Sequence, residues 1–506
     1  MEMKGAKMKR NIIIIVSLTT ILVVCLMVLF KDFENSDEIN ENLNIGMMKA
    51  NESAANGALS SYDIDIDDND LTIDWSKYDT TDISLFESIT INKSGIYNLT
   101  GTIENGMITI DTNEYVKLIL NNVNISNENG PAIYVKNAKL VYIETTDGSQ
   151  NILEDGDTYT DESIDSTIYS TSELVLGGNG TLTINANYQD GITSKDDLKI
   201  ISGNYSIMSK DDGIKGKDSV YILGGNIKVL SSEGDGIKST NNEDEGKGFV
   251  YISGGDFNIS SAKQGIEAIT CVQIDGGNID IVKSKEGIES KVIIINDGEI
   301  NIVSTDDGIN ISSMSESSTS KNPKATDLST EKNQILTING GNITISASGD
   351  SIDINGGGYL TGGNVVIYGT DSLGNGVLDY DLNFTVTGGI LIGGGGYGMF
   401  QNISSDSTTN NVVINFKETQ KQGTKVTIED ALGNVIATYD SSMSTTNVQE
   451  DANKKSFSCL LVTTSELKQG ETYTIKINDE KYETFTMDNS QCTIGNENMQ
   501  SERKMR

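Results

Sequence analysis

The segment that decides the fold reads Gly224-Gly-Asn-Ile-Lys-Val-Leu-Ser-Ser-Glu-Gly-Asp-Gly-Ile237. It consists of a turn, a short alternating strand and an Asp-Gly-Ile triplet, and similar phrases recur through the middle of the chain. The intervals between the first six Asp positions are 22, 23, 29, 22 and 21 residues. Self-similarity at such a period predicts a solenoid, in which each repeat buries its apolar face only against its neighbours. The Asp position is filled in turn by Asp190, Asp212, Asp235, Gln264, Glu286, Asp307 and Asp350.

A second short strand follows the triplet in successive repeats. Two apolar residues flank one that should point outward, as a half-buried strand requires. Coils of about 22 residues with two or three such strands predict an all-β fold, a parallel β-helix, which the crossover preference makes right-handed. Examples of this strand are Leu198-Lys-Ile200, Val220-Tyr-Ile222 and Val250-Tyr-Ile252.

The chain divides into five predicted segments. Residues 1–30 carry a basic start and an apolar run without a good cleavage site, so we expect a retained membrane anchor rather than a cleaved signal. Residues 31–70 are an acidic linker, 71–405 the β-helix, 406–495 a small antiparallel β unit and 496–506 a tail. The β unit either forms a separate domain or covers the open end of the helix. This order predicts a body on the extracellular side of the membrane, anchored or secreted.

Three stretches interrupt the period next to the triplet, at residues 154–166, 239–248 and 312–334. Insertions in a solenoid become loops on the face where they occur, and that face is often the binding face. The three insertions therefore predict where a ligand binds.

The composition excludes several classes of function. The formal net charge of −36 repels nucleic acids and anionic membranes, so we expect no nucleic-acid partner and membrane contact only through the N-terminal segment. The chain has no histidine, which removes imidazole catalysis and imidazole metal sites. Its only arginines are Arg10, Arg503 and Arg506, so the body has no guanidinium. A disulfide between Cys459 and Cys492 is left open by the sequence.

Acidic residues stack along the repeat and are candidate metal ligands. Equivalent positions in adjacent coils lie ~4.8 Å apart. Two unit charges at that distance repel by roughly 1 kcal/mol in water and by several times that near a protein surface. Hard oxygen ligands without histidine or cysteine suit calcium, which we favour as a cofactor; the alternative is that Asp-Gly is only good turn chemistry. The candidate ligands are Asp190, Asp196, Asp197, Asp211, Asp212, Asp218 and Asp235.

Two tyrosines and two lysines are candidate carbohydrate contacts. Tyr221 and Tyr251 point outward on adjacent coils, where aligned rings could hold sugars, although a cross-strand ladder that only stiffens the sheet is the more ordinary interpretation. Lys195 and Lys215 lie near the acids and could meet a uronate carboxylate; the ordinary interpretation is solvated surface lysines.

The central phrases resemble a family of bacterial surface proteins, the carbohydrate-binding-domain-containing family. The resemblance rests on Tyr188-Gln-Asp-Gly-Ile-Thr-Ser-Lys-Asp-Asp-Leu-Lys-Ile200, Gly234-Asp-Gly-Ile-Lys-Ser239 and Gly95-Ile-Tyr-Asn-Leu-Thr-Gly101. It implies a calcium-binding, right-handed parallel β-helix with a pectate-lyase-like shape. It also implies binding of cellulose or of acidic plant polysaccharide such as polygalacturonate.

The sequence thus predicts a surface-exposed protein that binds polysaccharide, with calcium, and does not cleave it. One alternative is a polysaccharide lyase or hydrolase on the same scaffold, which the absence of histidine and of arginine in the body disfavours. The other alternative is a structural adhesin.

Overall fold

The structure of the protein is a computed structural model, which describes Leu59 and residues 71–244, 246–313, 334–442 and 455–495. The predicted anchor and tail lie outside the described residues, as does the predicted linker apart from Leu59. The backbone of Leu59 bonds to the side chains of Thr337 and Asn339. Within the described ranges, no helix has the length and apolar character needed to cross a membrane.

The described chain is built of strands, preceded by a short 3-10 turn at Trp75–Lys77. The first thirty-three strands are β1 (Thr80–Leu85), β2 (Ile89–Ile91), β3 (Gly95–Ile103), β4 (Ile108–Asp111), β5 (Tyr115–Asn127), β6 (Ile133–Asn137), β7 (Leu140–Thr145), β8 (Gln150–Asp155), β9 (Ser166–Ser170), β10 (Leu174–Gly178), β11 (Thr181–Ala186), β12 (Asp190–Ser194), β13 (Asp197–Ile200), β14 (Asn204–Ser209), β15 (Ile214–Gly216), β16 (Ser219–Ile222), β17 (Asn226–Ser231), β18 (Ile237–Ser239), β19 (Phe249–Ile252), β20 (Asp256–Ser260), β21 (Ile266–Ile274), β22 (Asn278–Ser284), β23 (Ile288–Ile295), β24 (Glu299–Ser304), β25 (Ile309–Ile311), β26 (Ile335–Ile338), β27 (Asn342–Ser346), β28 (Ile352–Ile354), β29 (Gly357–Leu360), β30 (Asn364–Tyr368), β31 (Leu378–Tyr380), β32 (Asn383–Val386) and β33 (Ile390–Gly395). The remaining strands are β34 (Asn411–Gln420), β35 (Lys425–Glu429), β36 (Val435–Asp440), β37 (Phe457–Thr463), β38 (Thr472–Ile477), β39 (Glu480–Thr486) and β40 (Gln491–Ile494).

The strands up to β33 form three parallel sheets that wind into a β-helix, so the predicted fold is confirmed. Sheet A contains the Asp-Gly-Ile strands and runs β2, β4, β6, β9, β12, β15, β18, β21, β23, β25, β28, β31. Sheet B runs β1, β3, β5, β7, β10, β13, β16, β19, β21, β23, β26, β29, β32. Sheet C runs β3, β5, β8, β11, β14, β17, β20, β22, β24, β27, β30, β33. Each coil passes from sheet A to B to C, and the long strands β3, β5, β21 and β23 bend from one sheet into the next.

The isoleucines that end each repeated phrase form one continuous column inside the core, as their register predicted. Ile192 pairs with Ile214, which pairs with Ile237, and the column continues without a slip to Ile352. These side chains are buried. Full burial of one such side chain contributes about 1.5–3 kcal/mol relative to leaving it exposed. The repeat is therefore fixed by the stacking of identical apolar side chains along the helix.

The glycine of the triplet is required by close approach between coils. A Cβ at Gly213 would lie 2.3 Å from Val229 Cγ1 and 2.7 Å from the carbonyl oxygen of Gly236. The turn before sheet C needs glycine for a different reason, because Gly225 has φ +109°, where L side chains are strained. The repeated phrase thus contains one glycine that is required because a Cβ would clash with the next coil, and one that is required because the backbone has a positive φ.

The C-terminal unit continues sheet C. Strand β37 pairs antiparallel with β33 and with β34, and β34 pairs parallel with β40. The inner face of this extension adds Val413, Cys459 and Leu461 to the core of the helix. Its outer face packs on a four-stranded sheet of order β36-β35-β38-β39. Cys459 and Cys492 are free thiols whose side chains join different cores, so they form no disulfide.

Candidate functional site

The outer face of sheet A is framed by insertions on both of its edges. The insertion at 154–166 lies at the corner between sheets C and A, between β8 and β9. The insertion at 239–248 lies at the corner between sheets A and B, between β18 and β19. The third, at 312–334, follows β25 in the sequence, and most of it lies outside the described residues. Sheet A and its two corners are therefore the candidate region for a binding site.

The stacked acids of the triplet form a ladder of backbone hydrogen bonds. The backbone N–H of Asp212 donates to Asp190 Oδ1 at 3.0 Å, and that of Asp235 donates to Asp212 Oδ1 at 3.0 Å. The N–H of Gln264 continues the series to Asp235 Oδ1 at 2.8 Å. All three carboxylates are buried. Each of these acids thus accepts a hydrogen bond from a backbone N–H of the next coil. The alternative prediction, that Asp-Gly only forms a good turn, did not include this structural role.

Two lysines lie between these acids. Lys215 Nζ is 3.1 Å from Asp190 Oδ2 and 3.0 Å from Asp212 Oδ2, and Lys238 Nζ is 2.6 Å from Asp235 Oδ2. Burial acts to lower the pKa of Lys215, but the two carboxylates outweigh it and raise the pKa. Lys215 was predicted to meet a uronate or to be solvated at the surface, whereas the structure places it as the internal counter-ion of the ladder. The repeat predicted that Asp190 and Asp212 are neighbours, but it did not predict that the side chain of Lys215 lies between them.

The charge compensation is incomplete. Burial, aided by the charges of Asp212 and Asp165, raises the pKa of Asp190 against the effect of Lys215. Burial also raises the pKa of Asp235. Burial pushes Asp212 in the same direction, but Lys215 and the next lysine hold its pKa below the ordinary value. Three carboxylates thus face two ammonium groups, and the ladder carries a formal excess of negative charge.

The predicted metal ligands separate into two groups on opposite edges of sheet A. The group at the C–A corner is Asp190, Asp211 and Asp212, whose carboxylate oxygens lie within 4.8 Å of one another. The group at the A–B corner is Asp196, Asp197 and Asp218, whose carboxylate oxygens also lie within 4.8 Å of one another. Among the described residues, Asp235 belongs to neither group. Sequence analysis predicted all seven acids as one set of ligands. The winding of the coils places them at different corners of sheet A.

The A–B group is the more accessible of the two groups to a hard cation. Asp190 already uses one oxygen for a backbone N–H and the other for Lys215, so the C–A group has few free lone pairs. In the A–B group the acids are half-buried, and burial with the charges of Asp197 and Asp218 raises the pKa of Asp196. The cation present there, Lys247 of the insertion, is 3.3 Å from Asp197 Oδ1 and 4.0 Å from Asp218 Oδ2. A calcium ion takes six to eight oxygen ligands, and this group offers carboxylates from two coils. Their oxygens also accept hydrogen bonds from Lys247, the Ser219 hydroxyl and Asn241 Nδ2, so a bound ion would replace Lys247 as the counter-ion.

Of the two predicted carbohydrate tyrosines, one is not available at the surface. Tyr221 and Tyr251 are register neighbours in sheet B, as predicted. The prediction of an exposed ring is wrong for Tyr221, whose exposed fraction is 1% and whose ring meets Phe249 edge-on at 5.2 Å. Tyr251 is half-buried and its hydroxyl donates to Asp275 Oδ2 at 2.9 Å. Strand alternation gives the direction of a side chain, and it does not show what packs against it.

A different group of tyrosines lies on the outer face of sheet A, where Tyr134 and Tyr188 are half-buried and Tyr159 and Tyr169 are buried. Tyr134 and Tyr169 are register neighbours there, with ring centroids 5.9 Å apart. The insertion adds Tyr159, whose ring stacks on that of Tyr188 at 4.3 Å and 15°. The predicted contact Lys195 stands beside them, with Nζ 5.1 Å from the centroid of Tyr169. Sequence analysis missed this group because its members come from three coils and one insertion.

Comparison with known proteins places this geometry in context. Residues 87–376 match the model of the carbohydrate-binding domain-containing protein family. A carbohydrate-binding domain-containing protein from Acetivibrio thermocellus is 38% identical over 126 residues, which cover 24% of this chain and 44% of the relative. The chain therefore matches less than half the length of that relative. The solved structure of the polysaccharide lyase-like protein from C. thermocellum, a gadolinium derivative, shares 32% identity over 43% of this chain and 90% of its own, with a TM-score of 0.37.

Proposed function

This chain belongs to the carbohydrate-binding domain-containing protein family, and from that premise we propose that it binds polysaccharide without cleaving it. The proposed ligands are acidic plant polysaccharide and cellulose. The observation that supports a site on sheet A is the arrangement of two carboxylate groups and a tyrosine group along its two corners.

Calcium is the proposed cofactor. Asp196, Asp197 and Asp218 would hold it at the A–B corner, with the C–A group as a second position if Lys215 moves away. A bound calcium ion neutralises part of the repulsion between stacked acids, and it gives an acidic polysaccharide a cation to meet on a surface that otherwise repels it. Calcium would therefore act on stability and on the choice of ligand together.

Absence of cleavage is the first expected result. A lysine that acts as a base must lose its proton, and Lys215 is held as a cation by two carboxylates, with its pKa raised. We expect the protein to sediment with insoluble polysaccharide while polygalacturonate gives no absorbance from a new double bond, with calcium or with chelator. Steady growth of that absorbance would contradict the proposal. Protein that remains in the supernatant over every polysaccharide would favour an adhesin.

The proposal that the protein is displayed outside the cell rests on its N-terminal segment alone. Residues 1–30 would anchor the protein in the membrane, and the acidic residues after them would carry the body away from an anionic surface. Mass spectrometry of the N-terminus of the native protein tests this. We expect peptides that begin within residues 1–11, and a mature start beyond residue 30 would overturn the anchor.

A further inference from the structure

Three outward-facing side chains of sheet B are buried although they point away from the core. Gln273, Ile294 and Thr337 are register neighbours on β21, β23 and β26, with exposed fractions of 1%, 0% and 0%. Strand alternation turns them to the outside, since it is Ile293 and Ile295 that pack in the core. An isoleucine on the outside of a coil loses contact with water only where another segment packs on it. This part of sheet B is therefore a covered surface.

Among residues 1–70 the structure describes Leu59, and this residue lies on the covered surface. Its backbone N–H donates to Thr337 Oγ1 at 3.1 Å, and its carbonyl oxygen accepts from Asn339 Nδ2 at 2.9 Å. An extended residue that makes both of its hydrogen bonds to one side, as in a ladder pair, lies flat against its partner. The contact joins positions 278 and 280 residues apart, so it belongs to the tertiary fold and not to a local turn.

The chain returns to the same outward column of sheet B at Trp75. The Trp75 ring stacks on that of Tyr142, with a centroid distance of 6.3 Å. Tyr142 and Thr337 belong to one column and lie seven register pairs apart, which corresponds to about 34 Å at ~4.8 Å per strand. The 16 residue steps from Leu59 to Trp75 extend to about 53 Å. The chain that leaves Leu59 is thus long enough to follow the column but has little length for a path far from it.

The sequence of residues 59–64 suits this surface. It reads Leu-Ser-Ser-Tyr-Asp-Ile, and Tyr62 and Ile64 have the two-residue spacing that places side chains on one side of an extended segment. Five residue steps at ~3.3 Å reach about 17 Å, enough to pass over Ile294 and Gln273. From β13 to β26 the outward column contains no carboxylate, so an acidic segment meets no stacked like charge there. The acid ladder of sheet A, by contrast, would repel it.

We infer that this surface of sheet B, centred on Ile294, is an intramolecular docking surface whose occupant is residues 59–64. The segment predicted as an acidic linker is then bound to the body from Leu59 to Ile64, and the spacer before the body shortens to residues 31–58. A polysaccharide cannot bind this part of sheet B while the segment occupies it, which restricts a ligand to other faces of the helix. The inference goes beyond the proposed function and depends neither on calcium nor on polysaccharide.

Thiol labelling of the full chain tests whether residues 59–64 cover the surface. Ile294→Cys, treated with N-ethylmaleimide and read by peptide mass spectrometry, should react about tenfold more slowly than Leu230→Cys, because the reaction requires local release of the segment. Leu230 is half-exposed on sheet C. Adding Tyr62→Ser and Ile64→Ser removes apolar contacts of the segment, which should speed the reaction at position 294 about tenfold and leave position 230 unchanged. A rate at position 294 that ignores these two changes, or that is fast without them, would overturn the inference.

Hydrogen exchange gives a second measurement that introduces no cysteine. Thr337→Val removes the acceptor of the Leu59 N–H, so exchange in peptides that contain this amide should rise about tenfold. Thr344→Val, on the outer face of sheet C in the same coil, is the matched control and should leave that exchange unchanged. Exchange at residue 59 that is as fast in the parent as in an unstructured peptide, or that Thr337→Val does not alter, would show that the segment does not dock.

Discussion

Addition of a chelator is expected to lower the melting temperature of this protein, and calcium is expected to restore it. A ligand that binds only the folded state stabilises it by mass action, by ~2.7 kcal/mol when its free concentration is about a hundredfold above its dissociation constant. The empty protein carries repelling carboxylates on both corners of sheet A, so the folded state has a physical reason to gain from a cation. Magnesium should restore less, because it requires a tighter octahedron and keeps its waters.

Single substitutions should identify which group binds the ion. Asp218→Asn should reduce the recovery with calcium, since it removes a charge from the A–B group while its oxygen can still accept from Asn241 Nδ2. Asp256→Asn is the matched control, an exposed acid on sheet C that belongs to neither group. Asp212→Asn tests the C–A group in the same way. Melting curves that coincide in calcium and in chelator would leave these acids with structural roles only.

Lys215→Met is expected to destabilise the protein by about 3 kcal/mol, because it leaves two buried carboxylates without their counter-ion. The loss should depend on pH. Without Lys215, the folded-state pKa of Asp190 rises further above its value in the unfolded chain, so the folded state holds a proton that the unfolded state releases. Stability is therefore lost as pH rises, and the variant should be closer to the parent at pH 5 than at pH 8.

The matched control for that experiment is Lys136→Met. Lys136 pairs with Asp111 at 2.8 Å, but both side chains are largely exposed. Such surface pairs contribute about 0.2–1 kcal/mol. The midpoints of urea unfolding at pH 5 and pH 8 measure both variants. Equal losses for Lys215→Met and Lys136→Met, or a loss that does not change with pH, would show that Lys215 is not the counter-ion of the ladder.

The sequence by itself determined the fold and its register. A period near 22 residues with an isoleucine at the end of each phrase can be satisfied only if equivalent residues stack, and the column from Ile192 to Ile352 does so. The same repetition placed Asp190 and Asp212 in adjacent coils, because a repeated position in sequence becomes a neighbouring position in a solenoid. It also placed the insertions at the corners of sheet A.

The tertiary structure alone decided how these side chains are used. Lys215 appeared as a surface residue in the sequence, yet its ammonium group lies between acids of two coils. Tyr221 points outward as alternation requires and is still buried. Met208 and Leu230 are register neighbours 22 positions apart, and Tyr159 of an insertion stacks on Tyr188, 29 positions away. A periodic pattern fixes which residues stack, but the path of an insertion and the packing across a corner depend on contacts that have no period.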